Sequence, residues 1–153
     1  MNKASKIFAV CVIAFAITSS VFAAETAFQA SLTPDAAIYP KTEKIEGFTL
    51  SIWGNNPQTA IALGIVNGTS GDSKGVSIGF ANYGQTYTGI QLGFANADDD
   101  LKGIQIGVIC STKRTSSGIQ IGLLNFIKEN KWFSNFPNEL APFMILVNWR
   151  ILD

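Results

Sequence analysis

A phrase of eight residues occurs five times between Ala60 and Asn125, and this recurrence limits the folds open to the chain more than any other feature. The copies read AIALGIVN (Ala60–Asn67), GVSIGFAN (Gly75–Asn82), GIQLGFAN (Gly89–Asn96), GIQIGVIC (Gly103–Cys110) and GIQIGLLN (Gly118–Asn125). They start 15, 14, 14 and 15 residues apart. A unit that short holds one strand and one turn, so the architecture is built by repetition.

Inside each phrase the apolar residues alternate. Ile90, Leu92 and Phe94 fall on one side, and Gln91, Gly93 and Ala95 on the other. Val76, Ile78 and Phe80 oppose Ser77, Gly79 and Ala81, and Ile119, Ile121 and Leu123 oppose Gln120, Gly122 and Leu124. Period two belongs to a β-strand with two unlike faces. A helix would place Ile90 and Leu92 about 200° apart and waste the pattern. Polar turn chemistry follows the phrases, as in Gly68-Thr69-Ser70-Gly71-Asp72, Asp98-Asp99-Asp100 and Ser111-Thr112-Lys113-Arg114-Thr115. Such side chains hydrogen-bond to nearby backbone and tolerate unusual φ values.

The alternation extends beyond the five copies. Phe48, Leu50 and Ile52 share a face in GFTLSIWG, and Phe28–Leu32 alternates more weakly before Pro34. Residues 143–151 alternate again, with Phe143, Ile145, Val147, Trp149 and Ile151 on one side. These segments bring the expectation to about eight strands. Residues 128–142 contain Trp132, Phe133, Phe136 and two prolines and read as an irregular aromatic loop. Gly64, Gly79, Gly93, Gly107 and Gly122 lie mid-strand, where glycine normally weakens a strand. Repeated in register, they form a stripe without side chains, suited to a narrow interior or to close backbone approach.

Three all-β architectures satisfy this pattern. The leading expectation is an antiparallel meander closed into a small barrel, with the apolar rows facing lipid and the Gln, Ser, Gly and Ala rows filling a narrow interior. A soluble antiparallel sheet would put the same apolar rows inside. In a parallel β-solenoid each 14- to 15-residue unit becomes one coil, and Gln91, Gln105 and Gln120 stack into a ladder.

The N-terminus carries an address. Lys3 and Lys6 precede an apolar run over Ile7–Thr18, and Val21-Phe22-Ala23 has the small-x-small pattern of a cleavage site. Residues 1–23 therefore read as a secretory signal peptide, and residues 24–153 as a single β-repeat domain. Val10 stands where a lipoprotein signal needs a small residue before Cys11, so no lipid anchor is expected. Cleavage after Ala23 leaves nine basic and eleven acidic residues, a net charge of −2, with no basic patch for nucleic acid. Cys110 is then the one remaining cysteine, which excludes a disulfide within the mature chain.

Taken together, the G-[IV]-[QS]-[IL]-G-[FLV]-[AIL]-N repeats, the Phe28–Pro34 opening, GFTLSIWG and the closing Pro142–Arg150 segment resemble a family of bacterial surface repeat proteins of the leptospiral type. The resemblance covers nearly the whole mature chain. It implies an exported β-protein of the envelope and supplies no catalytic residues.

The residue types exclude most chemistry. The chain has no histidine, so neither a Ser–His–Asp nor a Cys–His arrangement is available, and a histidine metal site is excluded as well. Asp98-Asp99-Asp100 lacks the spacing of a calcium loop and reads as a solvated acidic turn. Cys110 takes the place of the repeat asparagine and is expected at a strand end. No cofactor is expected.

The sequence thus points to a non-enzymatic envelope or surface β-protein, a small outer-membrane barrel with a structural or partner-binding role. Outer-membrane lipid is the expected partner, with a protein or a glycan possible. The alternative is a soluble secreted β-repeat module, periplasmic or extracellular, that binds protein or glycan through its Gln/Ser face. The candidate contact residues are Gln91, Gln105 and Gln120 on the strands, and Trp132, Phe133 and Phe136 in the loop. For those three aromatics the first reading is a plug at one end of the sheet, with a membrane-interface cluster or a partner-binding loop as the functional readings.

Overall fold

The computed structural model describes residues 26–151, so the signal sequence assigned to residues 1–23 lies outside the described residues. Among the described residues there is no helix. The strands are β1 (Phe28–Thr33), β2 (Ala36–Ala37), β3 (Phe48–Asn55), β4 (Ile61–Leu92), β5 (Ala95–Ile127) and β6 (Phe143–Ile151), in one sheet of order β2-β1-β3-β4-β5-β6.

A straight strand of 32 residues such as β4 would run about 105 Å. It does not run straight, because Asn67 Nδ2 donates to Asn82 Oδ1 at 2.9 Å, 15 residues further along the same strand. The chain therefore winds, and through the five phrases each turn of 14 or 15 residues lies on the one before it, while β3 pairs with β4 at an offset of 13 residues and β1 with β3 at 20. The pairing is parallel, β1 with β3, β3 with β4 and β4 with β5. Like residues meet across it: Gly89 opposes Gly103, Ile90 opposes Ile104 and Gln91 opposes Gln105.

This is the parallel β-solenoid, and it corrects the expectation of an antiparallel meander or small barrel. Antiparallel pairing is confined to the two ends, at β1–β2 and β5–β6. The physical reason lies in the repeat length. An antiparallel meander opposes a phrase with its reversed neighbour, whereas parallel winding at a constant period opposes every residue with its own copy. The eight extended segments expected from sequence survive as successive rungs: β1, β3, the five phrases and β6.

The inside of each coil is mostly polar, with Ile45, Tyr87, Leu101 and Ile127 as its large apolar members. Gln91, Gln105, Gln120, Asn82, Asn96 and Asn125 are all essentially inaccessible to solvent. Four stacked interior columns can be followed. One holds Ser77, Gln91, Gln105 and Gln120, a second Asn67, Asn82, Asn96, Cys110 and Asn125, and a third Thr69, Asp98, Thr112 and Ile127. The fourth runs Ile45, Gln58, Ser73, Tyr87, Leu101, Thr115 and Asn130. The apolar residues of the phrases point outward instead. Phe80 is 61% exposed, Ile65 56% and Leu123 55%. Packing is therefore inverted relative to a water-soluble sheet protein, whose interior collects the large apolar side chains.

Glycine makes the close stacking possible. A Cβ on Gly93 would lie 2.7 Å from the Gly79 carbonyl oxygen, and one on Gly79 would lie 2.8 Å from that of Gly64. The first glycine of the phrase adds a backbone requirement, since Gly103 has φ +141° directly above Gly89, whose φ is +138°.

The ends are closed differently. At the first coil, Gln29 Nε2 donates to the Tyr39 carbonyl at 2.9 Å and to Asn56 Oδ1 at 3.0 Å, which holds the short β2 arm across β1. At the last coil, β6 returns antiparallel to β5, with Gln120 opposite Asn148 and Ile121 opposite Val147. The register slips between Gly122 and Asn125, where Leu146 adopts φ +70°.

Gly103→Ala is expected to lower stability by about 2 kcal/mol or more, because the new Cβ meets the Gly89 carbonyl in a backbone region that L-residues avoid. Gly71→Asn, at φ +65° with open space around it, is expected to be nearly neutral. Thermal unfolding followed by circular dichroism separates the two.

Candidate functional site: the amide columns and the apolar outer face

The glutamine column is a directed chain of hydrogen bonds. Gln120 Nε2 donates to Gln105 Oε1 at 3.0 Å, Gln105 Nε2 donates to Gln91 Oε1 at 2.9 Å, and Gln91 Nε2 donates to Asp98 Oδ1 at 3.2 Å. Gln105 Nε2 also reaches Asp98 Oδ2 at 2.9 Å. The column thus ends on a carboxylate that accepts from two neighbouring coils.

The asparagine column runs the other way. Asn67 donates to Asn82, and Asn82 Nδ2 donates to Asn96 Oδ1 at 2.8 Å. Each of these amides also donates to a backbone carbonyl of the next coil, Ile78 for Asn67 and Leu92 for Asn82. Ser51 Oγ and Ser77 Oγ donate into the column at Asn67 and Asn82. A buried amide left unpaired costs about 1–3 kcal/mol, so the interior is tolerable because these groups pair along the stack.

Asp98 and its neighbours depart from the solvated turn read from sequence. Because the segment is strand, successive residues alternate: Asp98 points inward and is 6% exposed, whereas Asp99 points out. Asp100 accepts from Arg114 Nη2 at 2.9 Å and from Ser116 Oγ at 3.1 Å. Burial pushes the Asp98 carboxyl up to about 7; the amides of Gln91 and Gln105 pull it down, and the Asp99 charge raises it. Burial, followed by the Asp98 charge, also raises the Tyr87 hydroxyl.

Cys110 belongs to the asparagine column rather than to a strand end, and it is fully buried. Burial pushes its thiol up, partly offset by Asn96 Nδ2, which donates to Sγ at 3.8 Å. A buried thiol held in its neutral form is a small packing group, unlike the thiolate that nucleophilic chemistry uses. Among the described residues no group of His, Cys, Asp or Glu side chains is arranged to hold a metal ion.

The six sequence candidates separate into two sets. Gln91, Gln105 and Gln120 are interior and bonded to one another, so in this fold they are structural and present no face to a partner. Trp132, Phe133 and Phe136 are exposed on the closing loop, which corrects the reading of these rings as a plug. The end of the last coil is instead filled by Leu140 and Ala141. The loop is held from beneath, where Glu139 accepts from Lys131 N at 3.2 Å and Asn135 Nδ2 at 2.9 Å and faces Arg150 Nε at 3.5 Å. Trp149 Nε1 donates to the Pro137 carbonyl at 2.8 Å.

The surface that sequence reasoning left undecided is the apolar one. Three outward columns run along the solenoid: Ile61, Val76, Ile90, Ile104 and Ile119; Leu63, Ile78, Leu92, Ile106 and Ile121; Ile65, Phe80, Phe94, Val108 and Leu123. Every one of these positions is half-buried or exposed, and none is polar. Phe80 and Phe94 stack face to face, with ring centroids 5.1 Å apart and planes inclined by 2°. Leu50 and Ile52 of β3 extend the columns at one end, and Val147 and Ile145 of β6 extend them at the other.

Two substitutions test the interior. The folded state holds the Asp98 proton up to about pH 7, while an unfolded carboxyl releases it near its ordinary value of 3.8. The stability contributed by the neutral acid is thus complete below about pH 4 and lost as pH rises to about 7, by an amount on the order of a few kcal/mol. Asp98→Asn is expected to flatten this slope, with the loss of one hydrogen bond, because its single amide oxygen can accept from only one of Gln91 and Gln105. Cys110→Asn is expected to stabilise by about 1 kcal/mol, because an amide there accepts from Asn96 and donates toward Asn125 Oδ1, which has no partner. Denaturant unfolding of each variant against the parent reads both effects.

No protein-family model, curated protein or solved structure matches the chain.

Proposed function

We propose that the chain is a non-enzymatic β-solenoid of the bacterial envelope, exported by its N-terminal signal, with a structural or partner-binding role at the outer membrane or cell surface and with its apolar outer face as the working surface. The observation that carries this reading is the inverted packing. The large apolar side chains of five consecutive phrases stand outside, while the amides are buried. Exposed apolar patches beyond a few hundred Å² mark surfaces that meet a protein or a membrane. The repeats' resemblance to bacterial surface proteins and the secretory character of residues 1–23 support the same address.

The solenoid form separates lying against a membrane from spanning one. Spanning strands need a closed barrel, so that no backbone group is left without a partner in lipid. Here one side of each coil is apolar, while the turns carry Asp72, Lys74, Gln85, Asp99, Lys102, Lys113 and Arg114, all exposed. Such a body buries its apolar side against a partner and keeps its charged side in water.

A second reading, a secreted module that binds protein or glycan, has support in one observation. Trp132, Phe133 and Phe136 are exposed together on a loop held by Glu139, and Trp132 and Phe133 lie 6.3 Å apart between ring centroids. Aromatic rings of this kind supply stacking surfaces for a ligand.

Fractionation of expressing cells tests the first reading. The parent chain is expected with the envelope and absent from the cytoplasm. A variant with Ile78, Phe80, Phe94 and Ile121 changed to serine is expected to keep its circular dichroism spectrum and to lose the association, with membrane or with another chain, that the parent shows. Recovery of the parent in the cytoplasm, or unchanged association of that variant, would overturn the reading.

A further inference from the structure

We infer that the apolar face is an interface for a second copy of the same chain, so that two solenoids pack sheet to sheet. The inference rests on the reading of that face as the working surface and names its occupant.

Size supports it. Fourteen exposed large apolar side chains lie in the three columns and their extensions: ten between Ile61 and Leu123, two in β3 and two in β6. Taking each at roughly half of its full side-chain surface, on the order of 80 Å², the face amounts to about 1,000 Å². A stable specific complex buries about 800 Å² per partner, and the largest apolar patch on a typical monomer is about 300–600 Å². The face is therefore large enough for a dimer and too large to leave in water.

Shape supports it as well. The eight rungs, spaced about 4.8 Å apart, make a face about 35 Å long. Its outward side chains repeat in regular rows, mainly isoleucine, leucine and phenylalanine, with polar residues absent from the fifteen column positions in the phrases. Rows of this kind on two facing sheets interdigitate at about 10 Å, as in a β-sandwich core. Interfaces between like subunits are also the most apolar, with charged residues depleted at their centre.

A lipid surface accounts for fewer of the features. Membrane-resting proteins place tryptophan and tyrosine tips and basic side chains at the headgroup level. Here the Trp53 indole donates to Tyr83 Oη at 2.9 Å and the Trp149 indole to the Pro137 carbonyl, so these two polar tips are already used within the chain, and the exposed Trp132 stands on the closing loop outside the three columns. The residues just before each phrase, along one border of the face, are Thr59, Lys74, Thr88, Lys102 and Ser117, which is no continuous basic rim. A face that closes on a copy of itself needs neither feature. It also needs a two-fold arrangement, which buries the same patch on both chains and leaves nothing for a third.

The test uses the mature full chain, purified without detergent, in sedimentation equilibrium over a range reaching about 20 µM. Twice the chain mass is expected, with association weakened at least tenfold by Phe80→Asp or Phe94→Asp and unchanged by Lys113→Glu on the charged side. Circular dichroism confirms that each variant keeps its fold; both phenylalanines are exposed, so neither change enters the core. The same protein is then mixed with vesicles of phosphatidylethanolamine and phosphatidylglycerol and floated. A monomer that floats with the vesicles overturns the second-copy inference and leaves the envelope reading standing. A monomer that stays in the aqueous layer overturns both. Growth beyond a dimer, or a dimer that survives both aspartate variants, also overturns the inference.

Discussion

Parallel backbone pairing, with a period of 14 or 15 residues through the five phrases, is the constraint on which the rest of this structure depends. It brings each residue over its own copy in the preceding coil, so that a side chain's nearest neighbour is a side chain of its own kind. For a charged residue that would be costly. For an amide it is favourable, because Asn and Gln carry a donor and an acceptor at opposite sides of one group and can pass a hydrogen bond from coil to coil. The Asn67–Asn82–Asn96 and Gln120–Gln105–Gln91 chains are the result. Glycine at Gly79, Gly93 and Gly107 completes the arrangement by letting those coils lie close.

Interior polarity then dictates the exterior. A strand has two faces, and once the glutamine side is committed to the ladder the isoleucine side must face outward. The stack gains stability from hydrogen bonds shared between neighbours, as in other repeat proteins, and relies less on burying large apolar groups. The cost is an outer surface that water does not solvate well. Function is therefore argued from that surface, and the interior groups that looked chemically interesting, Asp98 and Cys110 among them, are occupied in holding the stack.

Departures from the repeat are informative where a column changes residue type. Asp98 enters a column otherwise occupied by Thr69, Gly84, Thr112 and Ile127, and it is the acceptor on which the glutamine chain terminates. Cys110 interrupts the asparagine column and leaves Asn125 Oδ1 without a donor. The two ends depart further, because a coil with no successor must stop its backbone from pairing onward. The short β2 arm and the antiparallel β6 serve this purpose, and both limit the exposed edges that would otherwise recruit further strands.

What the sequence determined by itself was the all-β class, the 14- to 15-residue unit, the rungs with unlike faces and the structural character of the mid-strand glycines. These follow from local rules: alternation of period two, glycine in register and turn residues at fixed intervals. The direction of pairing was not legible, because GIQLGFAN alternates in the same way whether its neighbour runs parallel or antiparallel. Nor was it legible which face lies inside. That choice needed the tertiary stack, since a lone glutamine is a surface residue and only the copies of Gln91 at 105 and 120, laid over one another, turn it into a core residue. The same limit explains the candidates. Gln91, Gln105 and Gln120 looked like a contact row because their partners, each other, are neighbours in space and 14 or 15 residues apart in the chain.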